Sequence, residues 1–178
     1  MINSIIIKDN LKYPSGKNYF SPDTKYPEYP FDHISTYKNP IYEKVRSLFI
    51  QVGLDQENIG RPAWNPLKDY IRKGQKVFVL CNFVYHRRNK ESKEDFFAKC
   101  THGSVIRALV DFIYIATGKA GKINFGNSPL QSCDFKKVLS DTSSDKIEEF
   151  FKRFTDIEVK PIDLRSYITK FNNLGRLH

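Results

Sequence analysis

The sequence predicts an α/β fold: a Rossmann-like three-layer sandwich with a mostly parallel central sheet, behind an irregular N-terminal arm rich in proline and aromatic residues. Three observations carry this reading. The runs Lys76–Leu80 and Lys122–Phe125 are short, apolar and free of proline, as strands are. Residues 105–116 between them are apolar almost all round, as in a helix buried against a sheet. Each strand run ends in a small polar cluster, Cys81-Asn82 and Gly126-Asn127-Ser128-Pro129. A strand, a helix and a second strand in this order form a right-handed crossover with parallel strands.

Residues 2–7 read as a short edge strand. From Tyr13 to Pro40 the prolines at 14, 22, 27, 30 and 40 fix φ and remove backbone donors, which excludes a regular helix or a central strand. The aromatics of this arm (Tyr19, Phe20, Tyr26, Tyr29, Phe31, Tyr37) imply that it wraps and packs on the domain. Ile41, Val45, Leu48, Phe49 and Val52 then recur at helical spacing, and Gly53 is placed to cap the helix. Asp55 to Asn65 reads as a loop anchored by Trp64, with a helical turn at Pro66–Tyr70.

The first central strand, Lys76–Leu80, is so continuously apolar that it predicts cover on both faces. A charged loop follows. Thr101-His102-Gly103-Ser104 supplies hydroxyl caps for the buried helix, and Gly118 and Gly121 bracket its end. Beyond Pro129, Phe135, Val138 and Leu139 form one helical group. Ile147, Phe150, Phe151 and Phe154 form another, capped by Ser143-Ser144. A last strand covers Ile157–Val159 and runs toward Arg165. The chain thus reads as one domain over 1–178, with the arm at 1–40, an α/β core at 41–165 and a tail at 166–178 without a clear element.

Composition bounds the function. The chain has 178 residues, with 40% hydrophobic and 28% charged, enough to bury a core. No run approaches the roughly 18 apolar residues of a membrane helix. Met1 to Ile7 lacks the basic start of a secretory signal, which points to a cytoplasmic location. Cys81, Cys100 and Cys133 are odd in number and lack C-x-x-C spacing, against a disulfide framework or a zinc site. The net charge of +9 points to an anionic partner: a phosphorylated small molecule, a nucleic acid or an acidic membrane face. The basic residues are dispersed, and the tightest cluster, His86 to Lys90, is followed at once by Glu91, Glu94 and Asp95, so it reads first as a solvated loop of mixed sign.

Open parallel sheets bind ligands outside the carboxyl ends of their strands. Here that rim is Cys81-Asn82 and Gly126 to Pro129, joined by the amides at the start of the helix, Thr101 to Ser104. Helix-start amides favour an anion by roughly 0.3–1 kcal/mol. The candidate ligand-binding residues are therefore Asn82, Thr101, Ser104, Asn127, Ser128 and Gln131, with His102 as a candidate general acid or base. Asn82 has a structural alternative as a strand-end partner, His102 as a cap, and Asn127 and Ser128 as turn builders; Cys133 could serve as a nucleophile or metal ligand, but a buried thiol is commoner. No G-x-G-x-x-G, G-x-x-x-x-G-K-[ST] or G-x-S-x-G is present, so no cofactor follows from the sequence.

The segments YPEYPF (26–31), GLDQENIG (53–60), WNPLKDYIRKGQKVFVLCNFV (64–84), THGSVIRALVDF (101–112), GKINFGNSPLQSCDF (121–135) and DLR (163–165) together span nearly the whole chain. In order and spacing they resemble the domain-of-unknown-function family number 362, in its branch encoded near bacterial capsule and cell-surface polysaccharide genes. The resemblance implies a link to polysaccharide biosynthesis and keeps Asn82, His102, Pro129 and Gln131 at the site. It also exposes departures. The family has lysine-proline-asparagine where this chain has Leu80-Cys81-Asn82, proline where Gly103 stands, and aspartate at Asn127. Members are usually much longer, so the resemblance implies an N-terminal portion or a shortened, partly degenerate copy. Three functions follow as expectations. One is a site for an anionic small molecule, a phosphosugar or nucleotide sugar. The second is a basic nucleic-acid-binding module, and the third a non-catalytic domain completed by a partner chain.

Overall fold

The computed structural model describes residue 6 and residues 11–168, 170–172 and 175–177. The strand expected at residues 2–7 lies outside the described residues except for Ile6, which is exposed. The chain is a mixed α/β fold with a central parallel three-stranded sheet flanked by helices, consistent with the three-layer sandwich expected. Strands β1 (Lys76–Leu80), β2 (Lys122–Asn127) and β3 (Glu158–Asp163) lie in that order. Both pairings are parallel, with Phe78 opposite Asn124 and Asn124 opposite Lys160. Helix α3 (Gly103–Thr117) packs on β1 and β2, and α1 (Pro40–Val52) packs on α3. Helix α5 (Asp145–Phe154), preceded by α4 (Phe135–Asp141), packs on β3.

Ile123, Phe125 and Val159 point into this core, together with Phe112, Phe150, Phe151 and Trp64. Helix α1 starts as its sequence dictates: Pro40 takes the first helical position, the Asn39 side chain accepts from the Tyr42 amide, and Gly53 closes it at φ 81°. Tyr42 joins Val45 on its buried side, whereas Val52 is exposed. Trp64 is fully buried and donates from Nε1 to the Leu54 carbonyl at 3.0 Å, so it does anchor the loop. The arm packs as expected: Phe20, Tyr29 and Phe31 are buried.

The structure departs from the sequence reading in several places. Strand β1 is not covered on both faces, because it sits at the sheet edge; Phe78 is 40% and Leu80 70% exposed, while Val77 and Val79 turn inward. Strand β3 extends to Asp163 and tolerates Pro161 because it too pairs on one side only. Helix α2 (Lys93–Phe97) interrupts the charged loop, started by Ser92, whose hydroxyl accepts from the Asp95 amide. The cap of α3 is the His102 ring rather than a hydroxyl. Ser144 stands at the start of α5 without a capping bond; its hydroxyl pairs instead with that of Thr142. The tail holds a short antiparallel pair, β4 (Lys170–Asn172) with β5 (Gly175–Leu177).

Inside α3 lies a feature that its apolar pattern hides. Arg107 and Asp111, both fully buried, form an ion pair at 2.8 Å one helical turn apart. Arg107 also donates to the Tyr19 carbonyl at 2.5 Å and the Tyr29 hydroxyl at 3.1 Å, and its guanidinium lies 3.5 Å from the centre of the Phe150 ring. One buried cation therefore ties the arm, α3 and α5 together.

Candidate functional site

The strand ends converge as the topology requires. The Asn82 amide donates to Thr101 Oγ1 at 3.1 Å, and the Thr101 amide donates to the Asn82 carbonyl at 2.8 Å. On the neighbouring strand, Asn127 donates from Nδ2 to the Cys81 carbonyl at 2.6 Å and accepts on Oδ1 from the Ser128 amide at 2.7 Å. The Cys81 amide closes the circuit on the Gly126 carbonyl at 2.8 Å. Gly126 admits no side chain, because a Cβ there would stand 1.9 Å from the Ile162 carbonyl oxygen. Asn82, Thr101, Asn127 and Ser128 thus form one hydrogen-bonded latch at the end of the sheet. The Asn82 and Ser128 side chains are exposed at its surface.

Gln131 belongs to the adjoining loop, which is held by a residue that the candidate set omits. Arg165 Nη1 contacts the carbonyls of Leu130, Gln131 and Cys133 at 2.9–3.1 Å, while Nε and Nη2 grip Asp163. That contact holds the Asp163 carboxyl below its ordinary value. Burial pushes the Cys81 thiol up to about 12 and raises Cys133, so both are inert thiols near neutral pH.

The helix start is closed to an anion. The Gly103 amide donates to the Thr142 carbonyl at 2.9 Å, Ser104 to His102 Nδ1 at 3.1 Å and Val105 to the His102 carbonyl at 3.0 Å. A Cβ on Gly103 would stand 2.8 Å from that same Thr142 oxygen, so the turn between α4 and α5 sits directly on the helix start. The amide donors expected to face a ligand are taken by the chain itself, and Ser104 is fully buried.

His102 faces a different space. Its ring is buried and lies parallel to Tyr13 at 4.3 Å, with Phe97 and Phe20 around it. Burial, helped by the nearby Lys93 charge, lowers its pKa to about 4. Because Nδ1 accepts from Ser104, the neutral ring carries its proton on Nε2. His102 is therefore a neutral donor around pH 7, without the charge change that acid–base work there requires.

The space beside it is a cavity of about 780 Å³, bounded by residues 11–16 of the arm, the loop and helix α2 after β1, and the start of α3. Lys12, Arg87 and Lys93 supply three cations to its walls against Glu94 and Asp141. Arg87 donates Nε and Nη2 to the uncharged Glu91 carbonyl at 3.0 and 2.6 Å, which fixes the guanidinium without neutralising it. The Arg87 amide, not its side chain, holds Asp141. Sequence reasoning missed Lys12, Tyr13 and Lys93 here, and it took Arg87 for a solvated loop residue. Its signal was the His86–Lys90 cluster, which gains a partner surface only when the arm folds back over it.

Among the described residues, no three His, Cys, Asp or Glu side chains gather to hold a metal ion. No helix among them is long and apolar enough to cross a membrane. No family model, curated protein or solved structure matches the chain.

Proposed function

We propose that this chain is a binding domain for an anionic small molecule, a phosphosugar or nucleotide sugar, held in the cavity beside His102. The observation that carries the reading is the cavity wall. A neutral, buried imidazole donor and three cations, Lys12, Arg87 and Lys93, line one space of about 780 Å³. That volume suits a ligand of nucleotide-sugar size. The site lies beside the strand-end rim at which open parallel sheets bind ligands.

Binding without turnover is the better reading. The resemblance to the domain-of-unknown-function family number 362 places a lysine and an aspartate at the rim, and here Leu80 and Asn127 stand in those places. Asn127 instead donates an amide hydrogen bond that a carboxylate lacks. The tie to bacterial cell-surface polysaccharide assembly rests on the same resemblance. Calorimetric titration with uridine diphosphate glucose and glucose 1-phosphate tests the reading. Binding is expected to fall by about tenfold or more in Arg87→Ala/Lys93→Ala, as for loss of charge-assisted contacts. No binding of either compound to the folded protein would sink it.

One observation favours a second reading, a domain completed by a partner chain. Phe78 and Leu80 remain exposed on the edge strand β1. That reading expects a melting temperature that rises with protein concentration.

A further inference from the structure

Building on the small-molecule reading, we infer that the anion site continues past Gly16 into a second cavity, and that the two together take a single-stranded nucleic acid. The second cavity measures about 720 Å³, and Gly16 lines both. Lys17, Lys146 and Arg153 face it against a single carboxylate, Glu149, which Lys146 contacts through both oxygens at 2.8 Å. Lys17 and Arg153 therefore carry charge beyond that pair.

Exposed rings alternate with these cations. Tyr13 at the first cavity is 44% exposed, and Tyr37 and Phe154 at the second are 52% and 40% exposed. Lys17 lies 5.7 Å from the centre of the Tyr37 ring, and Arg153 lies 5.4 Å from that of Phe154. A cationic trough punctuated by exposed aromatic faces suits a chain of phosphates bearing flat bases, and it is sequence-tolerant. A single phosphosugar would use the charges and leave the rings bare.

The arm wall of the second cavity is built at a cost. Asn18, Tyr19 and Phe20 hold φ of 57°, 56° and 59°, three successive side-chain-bearing residues in the left-handed region. Such backbone persists where surrounding contacts over-determine it. Here Arg107 grips the Tyr19 carbonyl, and Asn39 Nδ2 donates to the Phe20 and Ser21 carbonyls at 2.7 and 3.1 Å. The strained turn sets Lys17 and the Tyr19 ring on the second cavity, and Tyr19 is fixed further by Arg153, which donates to its hydroxyl at 3.3 Å.

Fluorescence anisotropy with labelled oligothymidylates of increasing length, and with thymidine monophosphate as competitor, tests the inference. Affinity is expected to grow with length up to several nucleotides and to fall with salt, with a log–log slope of about −0.7 per phosphate contacted. Lys17→Glu/Tyr37→Ala, both on the surface, is expected to weaken the longer oligomers by about tenfold. The same variant should leave uridine diphosphate glucose binding unchanged. If oligomers bind no tighter than the monophosphate, the extension is wrong and the small-molecule site stands. If oligomers bind through Lys17 and Tyr37 while no small molecule binds, the extension stands and the first reading falls. Stronger binding of a uronic-acid polysaccharide than of an oligonucleotide of equal charge would overturn the assignment to nucleic acid.

Discussion

Acid should destabilise this protein through His102, and the size of the effect follows from the structure. Burial and Lys93 lower the folded-state pKa of His102 from 6.5 to about 4. The unfolded chain therefore binds more protons at this residue between those values, and its stabilising contribution is lost as pH falls through them. Going from about pH 7 to about pH 4.5, the loss comes to roughly 2 kcal/mol. Asp111 works in the opposite sense. Burial raises it from 3.8 to about 6, so the folded chain binds the extra proton, and stability rises as pH falls through that interval. The wild-type profile alone thus mixes opposed groups, with His33 and His86, both lowered by burial, adding to the side of His102. The comparison with His102→Asn separates them, because Asn keeps a capping oxygen for α3 but does not titrate. Urea unfolding of both proteins across this pH range should show the wild type losing roughly 2 kcal/mol relative to the variant. Parallel profiles for the two would refute the burial argument, and with it the neutral imidazole assigned to the cavity wall.

Two further outcomes follow from buried groups. Arg107→Met should cost about 3–5 kcal/mol, because Asp111 would lose its partner in the core and either stay charged there or have to take up a proton. The double variant Arg107→Met/Asp111→Leu should recover much of that in calorimetric melting, and a double no more stable than the single would count against the pair as the cause. Asn127→Asp should cost about 1–3 kcal/mol near neutral pH, since a carboxylate would face the Cys81 carbonyl that now accepts its amide. Denaturant unfolding at pH 7 measures it, and an unchanged midpoint would show that the strand-end latch contributes nothing to stability.

The parts of the fold that were legible in the sequence are those fixed by local pattern. The apolar runs of β1 and β2, the buried α3 and the prolines of the arm each announce themselves within a few residues. What the pattern could not convey was which neighbours arrive. Lys76–Leu80 is equally apolar at a sheet edge and in its middle, so the exposure of Phe78 and Leu80 is a fact of strand order. Ser92 and Asp95 do carry a helix-start signal, hidden because α2 is only five residues long. Arg107 and Asp111 carried the four-residue spacing of an ion pair, but a charged pair in an apolar helix reads as a solvent-facing one until the arm covers it.

The same distinction governs the site. Strand topology sufficed to bring Asn82, Thr101, Asn127 and Ser128 together, because parallel strands and their crossover helix leave no other place for them. Whether their donors remain available depends on contacts from distant segments, and Thr142, on the turn after α4, takes the amide of Gly103. At the rim, the amides of Gly103, Ser104 and Val105 and the Asn127 side-chain amide are matched to acceptors within the chain, which leaves the exposed Asn82 and Ser128 side chains to meet an anion there. On the arm side the balance is reversed. Lys12, Lys93, Lys17 and Arg153 stand beside exposed or stackable rings, with fewer carboxylates than cations on either cavity. An anion arriving from solvent meets charge first on the arm side, and the arm's left-handed turn, held by Arg107 from the core, is what keeps that charge in place. Loosening Arg107 should therefore weaken binding of the proposed anion, read by the same calorimetric titration, as well as stability, although Arg107 lines neither cavity.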